Sequence, residues 1–423
     1  QSIDFLIDGE GEESLLQLCR YLDGQEKTLA REVLSRQPPG LPAVSSKKVT
    51  LNDLPHPNFS PYFQEVRELF SGQMFIPVLP IEFSRGCWWN RCSFCNLNLQ
   101  WPDYRAKDGD RMMKEVTALA KAHDCLQFAF ADNALPPRQA DRFFTSIAVS
   151  QMDFDFFAEL RGITKQGRLA LYRRGGLRTV QVGIEALSAT LLDKMAKGTT
   201  VMDTVATMKI SSSCGIHLEG NIIIEFPGST AEEIAETLHN LDFVLPFAPL
   251  QAAAFFLGYG SPIHERPHDF SIQAIIPHSK NRKLFPENIL QGMTMITNGY
   301  RGDRGRQHKL WQPVVKKLKT WQTFHEDRRN RTLPALFYRD GGDFLTISQE
   351  PFTGPPLQHR LRGLSRRIYL FCETPQTISA ILTAFPSISV PTLEMFLGEM
   401  ADKRLMFREG DQVISLAAHL NNQ

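Results

Sequence analysis

Cys87, Cys92 and Cys95 stand within nine residues, in the stretch Ser84-Arg-Gly-Cys-Trp-Trp-Asn-Arg-Cys-Ser-Phe-Cys95, directly after an apolar run. Thiolates are soft ligands, so three of them on one short loop read as a metal site. A four-iron cluster normally takes four thiolates. Three leave one iron open to a ligand that is not protein, which suits chemistry better than electron storage. The bland alternative is structural zinc, with His123 or another cysteine as the fourth ligand. Zinc sites usually supply two close pairs of ligands, and no second cysteine pair exists in this chain.

A loop of this kind needs elements that position it. Apolar, β-rich runs over 76–83, 126–131, 154–160, 179–184, 217–226 and 250–257 alternate with helical stretches that include 111–123, 138–150, 201–214 and 230–244. Six such repeats predict a parallel sheet covered by helices. Sheets of this type carry functional residues at the C-terminal ends of their strands, and the cysteine loop follows the first run. The later run ends are polar: Asp132-Asn133 closes the second, Glu159 and Arg161 the third, Gly183-Ile-Glu185 the fourth. Glu225-Phe-Pro-Gly-Ser-Thr230 closes the fifth and Gly258-Tyr-Gly-Ser-Pro262 the sixth. Carboxylates accept from hydroxyl or amino groups, and arginine grips a carboxylate in a fork, so this ring could cradle a zwitterionic, hydroxyl-rich ligand. Plainer readings stand beside it: a salt bridge between Glu159 and Arg161, Trp88 and Trp89 packed on the rim, and Glu225 pointing away.

Bulk composition narrows the class. The 423 residues, 42% hydrophobic, are enough for one barrel-sized domain and a smaller one. Basic and acidic side chains, 47 against 46, nearly cancel, with no basic stripe, which argues against a nucleic-acid partner. No apolar segment approaches the roughly 20 residues that cross a bilayer, so no membrane partner is expected. Seven cysteines, three clustered and four scattered, are the usage of a reducing cytoplasm and not of a disulfide scaffold.

Several strings together resemble the radical S-adenosylmethionine (SAM) superfamily. They are the cysteine loop after a first strand, Phe94 immediately before its last cysteine, Gln181-Val-Gly-Ile-Glu-Ala-Leu-Ser188 with Lys194-Met-Ala-Lys-Gly-Thr199, and Asn221-Ile-Ile-Ile-Glu-Phe-Pro-Gly228. The spacing C-x4-C-x2-C is one residue longer than the superfamily's usual C-x3-C-x2-C. The strings Glu82-x-Ser-Arg-Gly-Cys-Trp-Trp, Asn96-Leu-Asn, Tyr104-Arg105, Asp132-Asn133-x-Leu-Pro136 and Glu159-Leu-Arg161 are similar to cobalamin-dependent members of the peptide-maturation C-methyltransferase type. The resemblance implies an α/β fold: a partial (β/α)6 TIM-like barrel, a small C-terminal α+β domain and the tail of an N-terminal cobalamin-binding-like domain. It further implies a 4Fe-4S cluster on Cys87, Cys92 and Cys95, SAM chelated to the open iron, and cleavage of SAM to a 5′-deoxyadenosyl radical. Phe94 would contact the adenine, and Asp132, Asn133, Glu159, Arg161 and Glu185 are candidates to hold SAM. The implied partners are a peptide or small-molecule substrate and an electron donor such as flavodoxin or ferredoxin. A cobalamin-independent radical SAM enzyme, or a non-catalytic metal-binding protein on a degenerate barrel, remain the alternatives.

The expected organisation is a tail of an upstream domain over 1–25, where Asp8-Gly-Glu-Gly-Glu12 turns a strand into a helix, then a linker and helix over 26–75 and the barrel core over 76–262. A helical extension over 263–330 and a small domain over 331–423 follow. Because one strand and one helix cannot make a domain, an α/β domain is expected to precede the first residue. Lys309, Lys316, Lys317 and Lys319 read as the solvated face of a helix that carries Trp311 and Trp321. Gly341-Gly342 marks a hairpin, and a short strand pair is expected around Met406 and Val413.

Overall fold

Residues 3–35, 49–72, 76–99, 101, 103–162 and 166–420 are described by the structure, a computed structural model. Parts of the linker expected over 26–75 lie outside them. The chain opens with β1 (Phe5–Ile7), α1 (Gly11–Leu22) and β2 (Val33–Ser35). β1 and β2 pair antiparallel over a small core of Leu18, Leu29, Ala30 and Val33. β2 falls in the stretch read as linker, because three residues are too few to show an alternating pattern. Next come α2 (Ser60–Leu69) and β3 (Leu79–Ile81), and then a short antiparallel ladder of β4 (Ser84–Arg85) with β5 (Arg105–Ala106), which closes the cysteine loop at its base.

From there helices and strands alternate: α3 (Gly109–His123), β6 (Gln127–Phe130), α4 (Pro137–Ser150), β7 (Asp155–Leu160), α5 (Gln166–Arg174), β8 (Leu177–Glu185), α6 (Ala189–Lys194), α7 (Val201–Ser213), β9 (His217–Ile224), α8 (Ala231–Val244) and β10 (Gln251–Ala254). β3, β6, β7, β8, β9 and β10 form one parallel sheet in that spatial order. Each strand lies beside its chain neighbour. Right-handed crossovers then place the helices on one face and all the strand ends that carry polar residues along one edge. Phe83, Phe128, Phe130, Phe154 and Phe156 are buried with Phe143 and Phe144 of α4, and the rings of Phe130 and Phe156 stack 5.6 Å apart. Large rings at alternate strand positions therefore fill the space under α4.

The helix starts are set by local chemistry. Thr200 and Thr230 each form a reciprocal capping box, with Asp203 and Glu233. Gly228, at φ +74°, makes the tight turn before the second of these.

The stretch 263–330, expected as a helical extension, also carries strands. β11 (Leu257–Gly258), β12 (Ile272–Pro277) and β13 (Thr297–Gly302) form an antiparallel sheet with β13 in the centre. β13 reads Thr-Asn-Gly-Tyr-Arg-Gly, with no apolar alternation of its own, so its conformation comes from its two partners. The helix Arg304–Asp327 follows, with Trp311, Val314, Leu318 and Trp321 buried and Lys309, Lys316 and Lys319 exposed, as the charge pattern predicts. Beyond it, strands Leu336–Asp340 and Phe344–Gln349 pair across Gly341-Gly342, and Met406–Glu409 pairs with Gln412–Ser415. Among the described residues, no helix is long and apolar enough to cross a membrane.

Trp321 is fully buried, and its indole N–H donates to the carbonyls of Leu245 and Phe247 at 3.0 and 3.2 Å. Trp321→Ala is expected to destabilise the protein by about 3–5 kcal/mol, read as a lowered denaturant midpoint.

Candidate active site

The cysteine loop has almost no regular structure and is fastened from outside. At its start, Asp132 Oδ1 accepts from the backbone N–H groups of Phe83 and Ser84 at 2.9 and 2.8 Å. Gly86, at φ +81°, lies so close to the returning strand that a Cβ there would stand 3.0 Å from the Asp103 carbonyl oxygen. In its middle, the Ser93 N–H donates to the Met195 carbonyl and the Ser93 hydroxyl to the Lys194 carbonyl, both at 2.8 Å. The Trp89 indole donates to the Ala196 carbonyl at 2.9 Å. Its ring lies on Gly198, where a Cβ would come within 2.0 Å of a ring carbon. Asn96 and Leu99 press in the same way on Gly258 and Gly260. The string Lys194-Met-Ala-Lys-Gly198 is thus the seat of the loop.

So held, Cys87, Cys92 and Cys95 open on one cavity of about 210 Å³. Among the described residues, no other cysteine and no histidine lines it. Among the described residues, no three of His, Cys, Asp and Glu converge as ligands of a single metal ion would. Three cysteines without a fourth protein ligand are the donor set of a cluster with one open iron, whereas a structural zinc takes four protein ligands. His123 ends α3 at the opposite edge of the sheet and stacks on Phe63 at 4.7 Å, so it is no fourth ligand.

Burial pushes the Cys92 thiol up, opposed by the charges of Lys197 and Arg161 and by a hydrogen bond from Arg161. Burial likewise raises Cys95, against a backbone bond from Leu97 and the Lys197 charge. Two cations therefore stand where thiolates would need them. Arg161 lies over the rings of Trp89 and Trp88, 4.6 and 5.2 Å from their centres, and donates to the Lys197 carbonyl. Among the described residues it makes no ion pair with Glu159, so the plain salt bridge does not form. Trp88 and Trp89 hold Arg161 as well as packing on the rim.

The remaining strand-end residues divide. Glu185 sits at φ +67°, uncommon for a residue with a side chain. Its Oε1 accepts from Lys197 Nζ at 3.0 Å, both side chains being largely buried. Gly183 makes the room, since a Cβ there would stand 2.6 Å from that ammonium. Glu159 is half-buried and pushed up by burial, then by the Glu185 charge, which places the two carboxylates near one another. Asn133 is half-buried beside Asp132, and Phe94 packs on the central core. Asp132 is 2% exposed; its Oδ1 is engaged by the loop backbone, and its Oδ2 has no hydrogen-bond partner among the described residues. A strand-end acid can face a ligand or its own neighbouring turn, and the sequence does not distinguish the two.

Two groups were missed. Lys197 lies in a loop 12 residues beyond Glu185, and the only sequence signal was its place in the Lys-Met-Ala-Lys-Gly string. His308 is brought to Glu225, Nδ1 to Oε1 at 2.7 Å, from 83 residues away. No local signal announces it. Glu225, at φ +60°, repeats the geometry of Glu185 at the next strand end.

Loop, sheet and sequence together define the class. Residues 81–241 match the Radical SAM superfamily. It is similar to an uncharacterized methyltransferase of Pyrococcus horikoshii, 29% identical over 167 residues, covering 38% of this chain and 36% of that one. It is also similar to the anaerobic magnesium-protoporphyrin IX monomethyl ester cyclase of Rubrivivax gelatinosus, 27% identical over 247 residues, 56% of this chain and 44% of that one. The chain spans less than half the length of either relative. Its fold is like that of the cobalamin-dependent S-adenosylmethionine radical enzyme OxsB, with a TM-score of 0.56 at 14% identity over 76% of this chain and 56% of that one.

Gly198→Ala adds both a clash with Trp89 and a left-handed backbone penalty. It is expected to abolish iron uptake by the cysteine loop while the far-ultraviolet circular dichroism of the barrel is kept. Burial pushes the Asp132 carboxyl up to about 7, outweighing its two N–H donors. A raised carboxyl favours the fold most when neutral, so its contribution is full below the unfolded value near 3.8 and is lost as pH rises through about 7. Asp132→Asn keeps the acceptor and removes the titration. It should gain about 1–3 kcal/mol over the parent at pH 8 relative to pH 5 in denaturant melts, whereas Asp132→Ala should lose about 1–3 kcal/mol at both.

Proposed function

We propose that the chain binds a four-iron cluster through Cys87, Cys92 and Cys95 and uses it to cleave SAM, and that the whole protein is a cobalamin-dependent C-methyltransferase acting on a peptide or small metabolite. The observation that carries the first part is that three thiols open on one cavity at the C-terminal edge of a parallel sheet, with no fourth cysteine or histidine lining it among the described residues. Cluster and SAM would supply a 5′-deoxyadenosyl radical, and cobalamin a transferable methyl group.

The chain's own residues bind, orient and balance charge. Each cysteine would hold one iron, with Lys197 and Arg161 offsetting the thiolates. Glu159, Glu185 and Asn133 would take the amino and hydroxyl groups of SAM, Arg161 its carboxylate, and Phe94 would lie toward the adenine. Asp132 would position the loop through the amides of Phe83 and Ser84. A one-electron donor of the flavodoxin or ferredoxin class would complete the reaction.

Methyl transfer is supported by the name of the Pyrococcus horikoshii relative and by the likeness in fold to a cobalamin-dependent enzyme. Ring formation is the second reading, favoured by the likeness to a cyclase over 56% of this chain.

Anaerobic reconstitution tests the core of this reading. The expected result is about four irons per chain and 5′-deoxyadenosine from SAM under a strong reductant, both lost in Cys92→Ala. Tightly held zinc with no SAM cleavage would overturn it. Isotopic label passing from the SAM methyl group into product separates methyl transfer from cyclisation.

A further inference from the structure

We propose that the N-terminal unit is a positioning element of the cysteine loop: Glu10 and Glu12 hold Arg85, and through it the backbone that leads to Cys87. The part of this that concerns the cluster rests on the function proposed above.

Arg85 is only 8% exposed and is surrounded by carboxylates. Its Nε and Nη2 donate to the two oxygens of Glu82 at 2.5 and 3.0 Å. Nη1 reaches Glu10 Oε2 at 3.3 Å, and Nη2 also bonds Glu12. Arg105, directly across the β4–β5 ladder, donates to the other oxygen of Glu10 and to the Val49 carbonyl, the latter at 2.9 Å. The Arg85 guanidinium also lies 5.1 Å from the centre of the Trp101 ring, at the far end of the loop.

Acids in the first turn of α1 have an ordinary explanation in the helix dipole. Glu10 departs from it. Glu10 is the N-cap residue, yet its side chain makes no capping bond to the helix; it is divided between two arginines of the barrel. Stripping a buried guanidinium of its carboxylates is strongly unfavourable, so Arg85 stays where the acids are. Only Gly86 separates it from Cys87, and a Cβ at Gly86 would stand 3.0 and 3.2 Å from the Asp103 and Trp101 carbonyl oxygens. A shift of Arg85 therefore reaches the first thiol. Three carboxylates against two guanidiniums also set a local negative charge beside the loop.

The test compares the full chain with its Glu10→Gln/Glu12→Gln variant. In metal-free protein, hydrogen exchange over 84–99 should rise about tenfold, the loss of one charge-assisted bond, while α3 to α8 keep their protection. After reconstitution, iron uptake at limiting iron should fall and the cluster's midpoint potential should rise, because negative charge has been removed from its surroundings. Arg85→Lys, which keeps the charge and loses the fork, should loosen the loop similarly. Glu13→Gln, an exposed acid of the same turn, should change nothing. Loop exchange and potential unchanged in the double variant, or moved equally by Glu13→Gln, would overturn the proposal. Should the parent take up no cluster, the function proposed above fails, and loop exchange in the metal-free protein still decides this one.

Discussion

Three thiols on one short loop repel one another once ionised, and the only ladder that holds the loop among the described residues is the two-residue β4–β5 pairing at its base. The rest of the site follows from how it is tied down. A buried carboxylate, Asp132, takes the two amides where the first strand ends. The segment after α6 takes the loop's middle through Ser93 and Trp89. Glycines occur where backbone must approach closely: Gly86 at one end, Gly198 under the indole, Gly258 and Gly260 on the far wall. Asp132 and the segment after α6 follow different strands of the sheet, so the loop has its shape only when the parallel sheet is assembled.

Charge is arranged by the same principle. Burial works against ionised thiols, and Lys197 and Arg161 work for them. Those cations are themselves oriented, Lys197 by Glu185 and Arg161 by two tryptophan faces. Glu185 and Glu225 both hold left-handed backbone at the ends of adjacent strands, and each bonds a basic side chain. Strain of this kind costs on the order of 1 kcal/mol or more and persists where the surroundings over-determine it.

Much of the fold was legible because its elements are long. α3, α4 and α8 fall within about two residues of the stretches that periodicity marks, since three or more turns of amphipathic pattern exceed the noise of single residues; α7, buried almost all round, is marked by its length. α5 and α6, short and lying between marked runs, were not named as helices. β2 and β13 carry too few apolar residues to be read, and pairing alone makes them strands. In the site, the cysteines and Glu185 were found from spacing and from a motif. Asp132 was found, but its bonds to the loop backbone were not, because residue type does not tell which way a side chain turns.

The sequence by itself determined that three thiolates would lie at the first strand end of a parallel sheet, because cysteine spacing and hydrophobic period are local and survive without the fold. Which groups neutralise and orient those thiols was decided by the tertiary structure. Lys197 reaches Glu185, His308 reaches Glu225, and Glu10 and Glu12 reach Arg85 only once crossovers and sheet order bring distant segments together. Coulombic and hydrogen-bond energies depend on separation in space, and separation along the chain does not report it.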